Sequence, residues 1–354
     1  MIDLNTLTSR IKRNCNISDA KFWGAYSLCG LLLRLRELYR FEKGVKPWER
    51  IRQEEIGEWI SEREKLWKTL EDKDLIDIIV GENIYNPFEV GKINSILEKE
   101  GLIYGAGYGI HMKPSFFLGD LISKKTVDGH DIFIVDNEYV RDLSDYPAML
   151  QDRVIFARVD AARILLWGRF EELRLKGIKG ALLFAFSKYD ISPDENPSEE
   201  IGRKISRAAY SEVETYVHHE LGEAFEGKRL GDDWKDMLRN ISHCKVEIFA
   251  RGIKDLLSDT SEKGMIRYIV ENQKEGSLGF YIVLLAGYRR LLFPEMLRAF
   301  QRFTETGDWR LIDDARKTGY RKAEGYAEKI LSTYRENKTS FSEYIEKEIL
   351  SRLH

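Results

Sequence analysis

Helix starts and stops punctuate this chain at short intervals, and they lapse over one stretch, between Leu102 and Arg141. Each signal has a physical cause. Proline at the first helical position lacks an N–H that would go unbonded there anyway. A short polar side chain at the N-cap accepts one of the free N–H groups, and glycine past the last turn takes the left-handed C-cap conformation without steric cost. On these signals Lys46-Pro47 opens a helix running to about Leu70, and Asn86-Pro87 opens one that Gly101 closes. Asn196-Pro197 opens a long helix ended by Gly227, and Asp232 caps the next. Ser277, Phe293-Pro294 and Asp308 mark three further starts, and Ser340 with Glu343 has the spacing of a capping box.

Inside the lapse the apolar period changes to two. Leu102 to Met112 alternates, and Phe116 to Val127 and His130 to Asn137 form a strand pair across Asp128-Gly129. Both residues of such a turn need positive φ, which Asp and Gly tolerate. The expected fold is α+β and predominantly α-helical: a bundle-like helical body with a small three-stranded antiparallel meander at about residues 102–140. The corresponding regions are 1–101, 102–141 and 142–354, with one continuous domain as the alternative. No βαβ alternation occurs, which argues against a Rossmann or barrel architecture.

Composition narrows the function classes. With 56 basic and 59 acidic residues the chain lacks the basic excess with which nucleic-acid binders neutralise phosphates, so no nucleic acid is expected. Arg34, Arg36 and Arg40 read as the wet face of a helix. The most apolar run, Leu278 to Gly287, is too short for a membrane span and is followed by Arg289 and Arg290, so no membrane partner is expected. Met1 to Asn14 lacks the apolar core of a signal peptide. Cys15, Cys29 and Cys244 are odd in number and unpaired in spacing, which fits free thiols and a cytoplasmic, soluble protein.

Two local features carry candidate sites. In the Leu102–Met112 strand, Gly105, Gly107 and Gly109 share one face with His111 at its end. Three glycines leave a strip of bare backbone, which exists where something approaches closely. A helix or aromatic ring of the protein itself is the simpler occupant, and a ligand or peptide groove rimmed by His111 is the functional one. Glycine-rich phosphate loops lead into a helix, whereas here more strand and Pro114 follow.

The second feature is His219-Glu220-Leu221-Gly222-Glu223. It resembles the zincin motif H-E-x-x-H, in which two histidines one turn apart bind zinc and the glutamate activates water. The resemblance covers this stretch alone and departs at its last residue, where Glu223 replaces the second histidine. It implies zinc or another divalent transition metal on His219, Glu223 and His243, with Glu247 one turn beyond His243 and Glu220 as general base. Helix phase opposes this: at about 100° per residue Val213, Val217, Leu221 and Phe225 face inward, leaving His219 and Glu223 on the polar side. Glu247 has Arg251 at i+4 for an ordinary ion pair. The leading expectation is therefore a non-catalytic protein that binds a protein partner or a small ligand. The alternative is a divalent-metal-dependent hydrolase.

Overall fold

The computed structural model describes residues 2–176, 180–338 and 340–352. The protein is a mostly helical α+β chain that divides into two compact units. One comprises Met1–Glu172 with Asp194–Val213, the other Leu173–Pro193 with Glu214–His354.

In the first unit, α1 (Leu4–Phe22) begins at Asp3, whose carboxylate accepts the N–H groups of Asn5 at 3.0 Å and Thr6 at 3.2 Å. Helix α2 (Leu28–Lys43) ends at Gly44 in the left-handed region. Helix α3 (Gln53–Leu70) opens at Gln53, later than Pro47. The residues between form a turn. The Glu49 N–H bonds the Lys46 carbonyl at 3.0 Å, and Arg40 donates to the carbonyls of both Lys46 and Glu49. That turn holds Trp48 out of any helix. A two-stranded sheet, β1 (Ile78–Val80) and β2 (Asn83–Tyr85), precedes α4 (Val90–Leu97), and Gly101 takes the closing left-handed position at φ 71°.

The three-stranded meander is corrected to a five-stranded sheet in the order β3 (Leu102–Tyr108), β4 (Pro114–Val127), β5 (His130–Arg141), β7 (Val154–Arg158), β6 (Ala148–Gln151). The hairpin turn is as expected, with Asp128 at φ 50° and Gly129 at 78°. Strands β6 and β7 are short, and β7 pairs parallel with β5. A parallel strand buried on both faces shows no alternation, and Val154–Arg158 runs straight into α5 (Val159–Lys176), so its apolar run reads as helix. Leu102, Tyr104 and Ala106 pack with Leu7, Ile11 and Cys15 of α1, while Ile103 packs with Phe117, Phe133 and Phe156 on the opposite face. Each fully buried Leu, Ile or Phe among them contributes about 2 kcal/mol.

The second unit is helical. Its elements are α6 (Ala181–Ser187), the continuation of α7 (Glu199–Asn240), α8 (Cys244–Thr260), α9 (Met265–Glu271), α10 (Glu275–Leu284), α11 (Gly287–Leu292), α12 (Pro294–Thr306), α13 (Trp309–Glu336) and α14 (Phe341–Glu348). Pro294 and Asp308 stand at the predicted starts, Asp308 accepting the Arg310 N–H at 3.0 Å. Ser340 occupies the N-cap of α14 without a side-chain bond to it. Helix α7 passes through Gly227 and breaks at Gly231, whose φ of 71° and ψ of −165° are non-helical. The core gathers Phe249, Ile253 and Leu257 of α8 with Phe293, Phe303, Ile312 and Ile330. Among the described residues, no helix is long and apolar enough to cross a membrane.

Candidate functional site

The zincin-like residues sit in ion pairs. His219 on α7 reaches Asp259 in the last turn of α8, with Nδ1 2.7 Å from Oδ1, and Asp259 also faces Arg289 at 3.5 Å. The second imidazole nitrogen lies 3.7 Å from Glu223, whose other oxygen accepts from Lys254 at 2.7 Å. Burial alone would lower the His219 pKa, but Asp259 and then Glu223 and Glu220 outweigh it and push it up to about 10. His243, the N-cap of α8, bonds Glu346 at 2.8 Å, and Glu247 pairs with Arg251 at 2.9 Å. Among the described residues, no three His, Cys, Asp or Glu side chains are gathered to hold a metal ion.

Helix phase explains only part of this. Val217 and Leu221 are buried as expected, whereas Phe225 is 44% exposed. The His219 side is not a wet face, because the end of α8 covers it. Gly222 permits that approach: a Cβ there would collide with the Ser258 carbonyl. His218, one residue earlier, stacks on Tyr268 with ring centroids 4.1 Å apart.

The glycine strip is filled from within. A Cβ at Gly105 would overlap the Phe117 ring, one at Gly107 the Gln151 side chain, and one at Gly109 the Tyr146 ring at 2.8 Å. The expected strand also stops at Tyr108. His111 and Met112 both take φ 57°, in a turn that carries His111 off the strand face and into solvent.

The first unit holds a cleft of about 1270 Å³ that no sequence motif marks. Four segments build it: the last turn of α2 with the Gly44–Glu49 turn, the end of β5, the start of α5 and the first turns of α7. Phe41, Trp48 and Trp167 give it aromatic surface, with Trp48 and Trp167 6.1 Å apart. Most of its acids are already neutralised. Glu138 is held bidentately by buried Arg158 at 2.6 and 3.0 Å, and Asp160 pairs with Arg163 and accepts the Glu138 N–H at 2.7 Å. Glu37 pairs with Arg36 at 2.8 Å and Glu199 with Arg203 at 3.2 Å. Exposed Glu200 has no ion-pair partner among the described residues, and exposed Glu49 accepts the Lys46 N–H at 2.7 Å.

The cleft's cations differ. Half-buried Arg141 donates to the Glu37 main-chain carbonyl at 3.0 Å and lies over the Phe41 ring at 4.3 Å. Half-buried Arg40 donates only to the two carbonyls of the Lys46–Glu49 turn. Among the described residues neither has a carboxylate within ion-pair distance, nor have Lys46 and Arg207, which also line the cleft. Burial lowers the pKa of both arginines. Arg158 adds repulsion at Arg141 and Arg36 at Arg40, against attraction from Glu138 and Glu37 respectively. Both stay charged, since guanidinium remains protonated in proteins, so the cost of burial is offset only in part by Glu138, Asp160 and Glu37 at Arg141 and by Glu37, Glu171 and Glu49 at Arg40. Sequence reading placed Arg40 on a wet helix face and had no local signal for Arg141.

An all-helical unit and a helix-flanked sheet unit with a charged cleft define an α+β protein of two domains. Residues 6–158 match the N-terminal domain and residues 163–352 the C-terminal domain of a family of unknown function, DUF6866, and the chain belongs to that family. No curated protein and no solved structure matches the chain.

Proposed function

We propose that the chain is a small-ligand-binding protein and that the cleft of the first unit is its site. The observation that carries this is the combination of a cleft of about 1270 Å³ with aromatic and charged walls drawn from four segments. Ligand sites are concave, hold apolar surface for contact and place a few polar groups for orientation. The alternative, a divalent-metal-dependent hydrolase with Glu220 as base, needs His219 to lose the Nε2 proton that faces Glu223 and His243 to leave Glu346.

A thermal-shift screen of the full chain against neutral, cationic and anionic metabolites tests the first reading. Hits should raise the melting temperature of the wild type and not of Trp48→Ala. A screen without any Trp48-dependent hit refutes it. Zinc, manganese and chelator run in the same plates test the alternative: a melting shift abolished by both His219→Ala and His243→Ala would establish it in place of the first.

A further inference from the structure

We infer that the ligand of this cleft is a small polyanion, gripped by the guanidinium groups of Arg40 and Arg141. The inference rests on the cleft being the ligand site. A guanidinium carries five N–H donors in a planar fork. Arg141 uses one of its hydrogen bonds on a main-chain carbonyl, and Arg40 directs one nitrogen at two such carbonyls. The remaining donors of each have no protein acceptor among the described residues.

Glu138 and Glu37, the carboxylates whose charges attract Arg141 and Arg40 most, form their ion pairs elsewhere. Glu37 is engaged by Arg36, and Glu138 is locked to Arg158. Buried cations are ordinarily paired, because desolvation is expensive unless an opposite charge compensates it. Here the chain's own carboxylates act only from beyond ion-pair distance, so an anion in the cleft would complete the compensation. Two forks, with Lys46 and Arg207 also lining the cleft, suit a ligand carrying at least two oxyanion groups. Fork geometry matches phosphate and carboxylate alike, with two parallel N–H···O bonds to each. Phe41 beneath Arg141 holds that guanidinium flat and limits its loss of freedom on binding.

Isothermal titration of the full chain with pyrophosphate, citrate, adenosine and spermidine tests this. Pyrophosphate, citrate or both should bind saturably and more weakly as salt is raised. Pyrophosphate alone identifies a phosphate ligand, citrate alone a carboxylate one. Arg40→Ala and Arg141→Ala should each weaken binding at least ten-fold, a loss of about 1.4 kcal/mol or more. Arg141→Lys should retain part of the affinity, and Arg251→Ala should change nothing. Circular dichroism checks that each variant is folded, and Arg141→Lys serves where Arg141→Ala is not. Binding by neither anion, or anion binding indifferent to both arginines, overturns the inference. If adenosine or spermidine binds in a Trp48-dependent way while neither anion does, the polyanion is wrong and the cleft stands. If no ligand of any charge depends on Trp48, the cleft reading itself fails.

Discussion

The surroundings of His219 in the second unit and the cleft of the first are both rich in charge, yet they are built on opposite rules. Around His219 each cation has a carboxylate: His219 and Arg289 face Asp259, and Lys254 faces Glu223. In the cleft the acids are mostly answered, while Arg40 and Arg141 are left with main-chain carbonyls. A charge answered within the chain holds the fold together. A charge left unanswered costs stability and is retained where something else answers it.

Asp259→Ala should show the largest effect, because it removes the buried carboxylate that His219 and Arg289 share. Breaking a buried pair from one side costs about 3–5 kcal/mol, and partial exposure of both cations places this one near the lower end, about 3 kcal/mol by urea denaturation. A loss below about 1 kcal/mol would mean that the network is surface charge after all.

Gly222→Ala comes next. The added Cβ meets the main chain at Ser258, which cannot swing aside as a side chain would, so α7 and the end of α8 must separate. A loss of about 1–3 kcal/mol is expected from such overpacking. An unchanged melting temperature would show that the two helices are not in close contact.

The third expectation is a pH dependence. The folded-state pKa of His219 is raised from 6.5 to about 10, so the native state holds a proton that the unfolded chain releases. The stabilisation is complete below about pH 6.5 and drains away as pH rises toward about 10. The difference in melting temperature between wild type and His219→Gln should therefore shrink steadily across that window. A difference that is constant, or that grows with pH, would contradict the Asp259 ion pair.

How far these features were legible in the sequence follows from the range of the interactions that make them. Caps and turns are local, so Pro294, Asp308 and Asp128-Gly129 announced their elements directly. Arg40 moved the start of α3 by binding the Lys46–Glu49 turn, a contact that helix propensity does not contain. Strand β7 escaped because β6 comes between it and its partner β5 along the chain, and because burial on both faces removes the alternation that marks a strand. In the H-E-x-x-E stretch the residues were visible but their partner was not: Asp259 lies 40 residues along the chain from His219. The glycine at 222 was a clue to close helix packing that a comparison with zincins passes over. The cleft was illegible for a sharper reason. Its mark is two arginines lacking a carboxylate, and a missing partner can be recognised only once every neighbour has been placed.

Arg141→Met tests the contrast most directly, by urea denaturation without ligand. Methionine keeps much of the apolar contact with Phe41 and removes a charge that has no carboxylate within ion-pair distance among the described residues. The unfolding free energy should stay within about 1 kcal/mol of wild type, because Arg141 has no ion-pair partner among the described residues that its loss would leave unpaired. A loss of about 3 kcal/mol or more would show that Arg141 belongs to the fold as Asp259 does, and that the cleft has no charge to spare for a ligand.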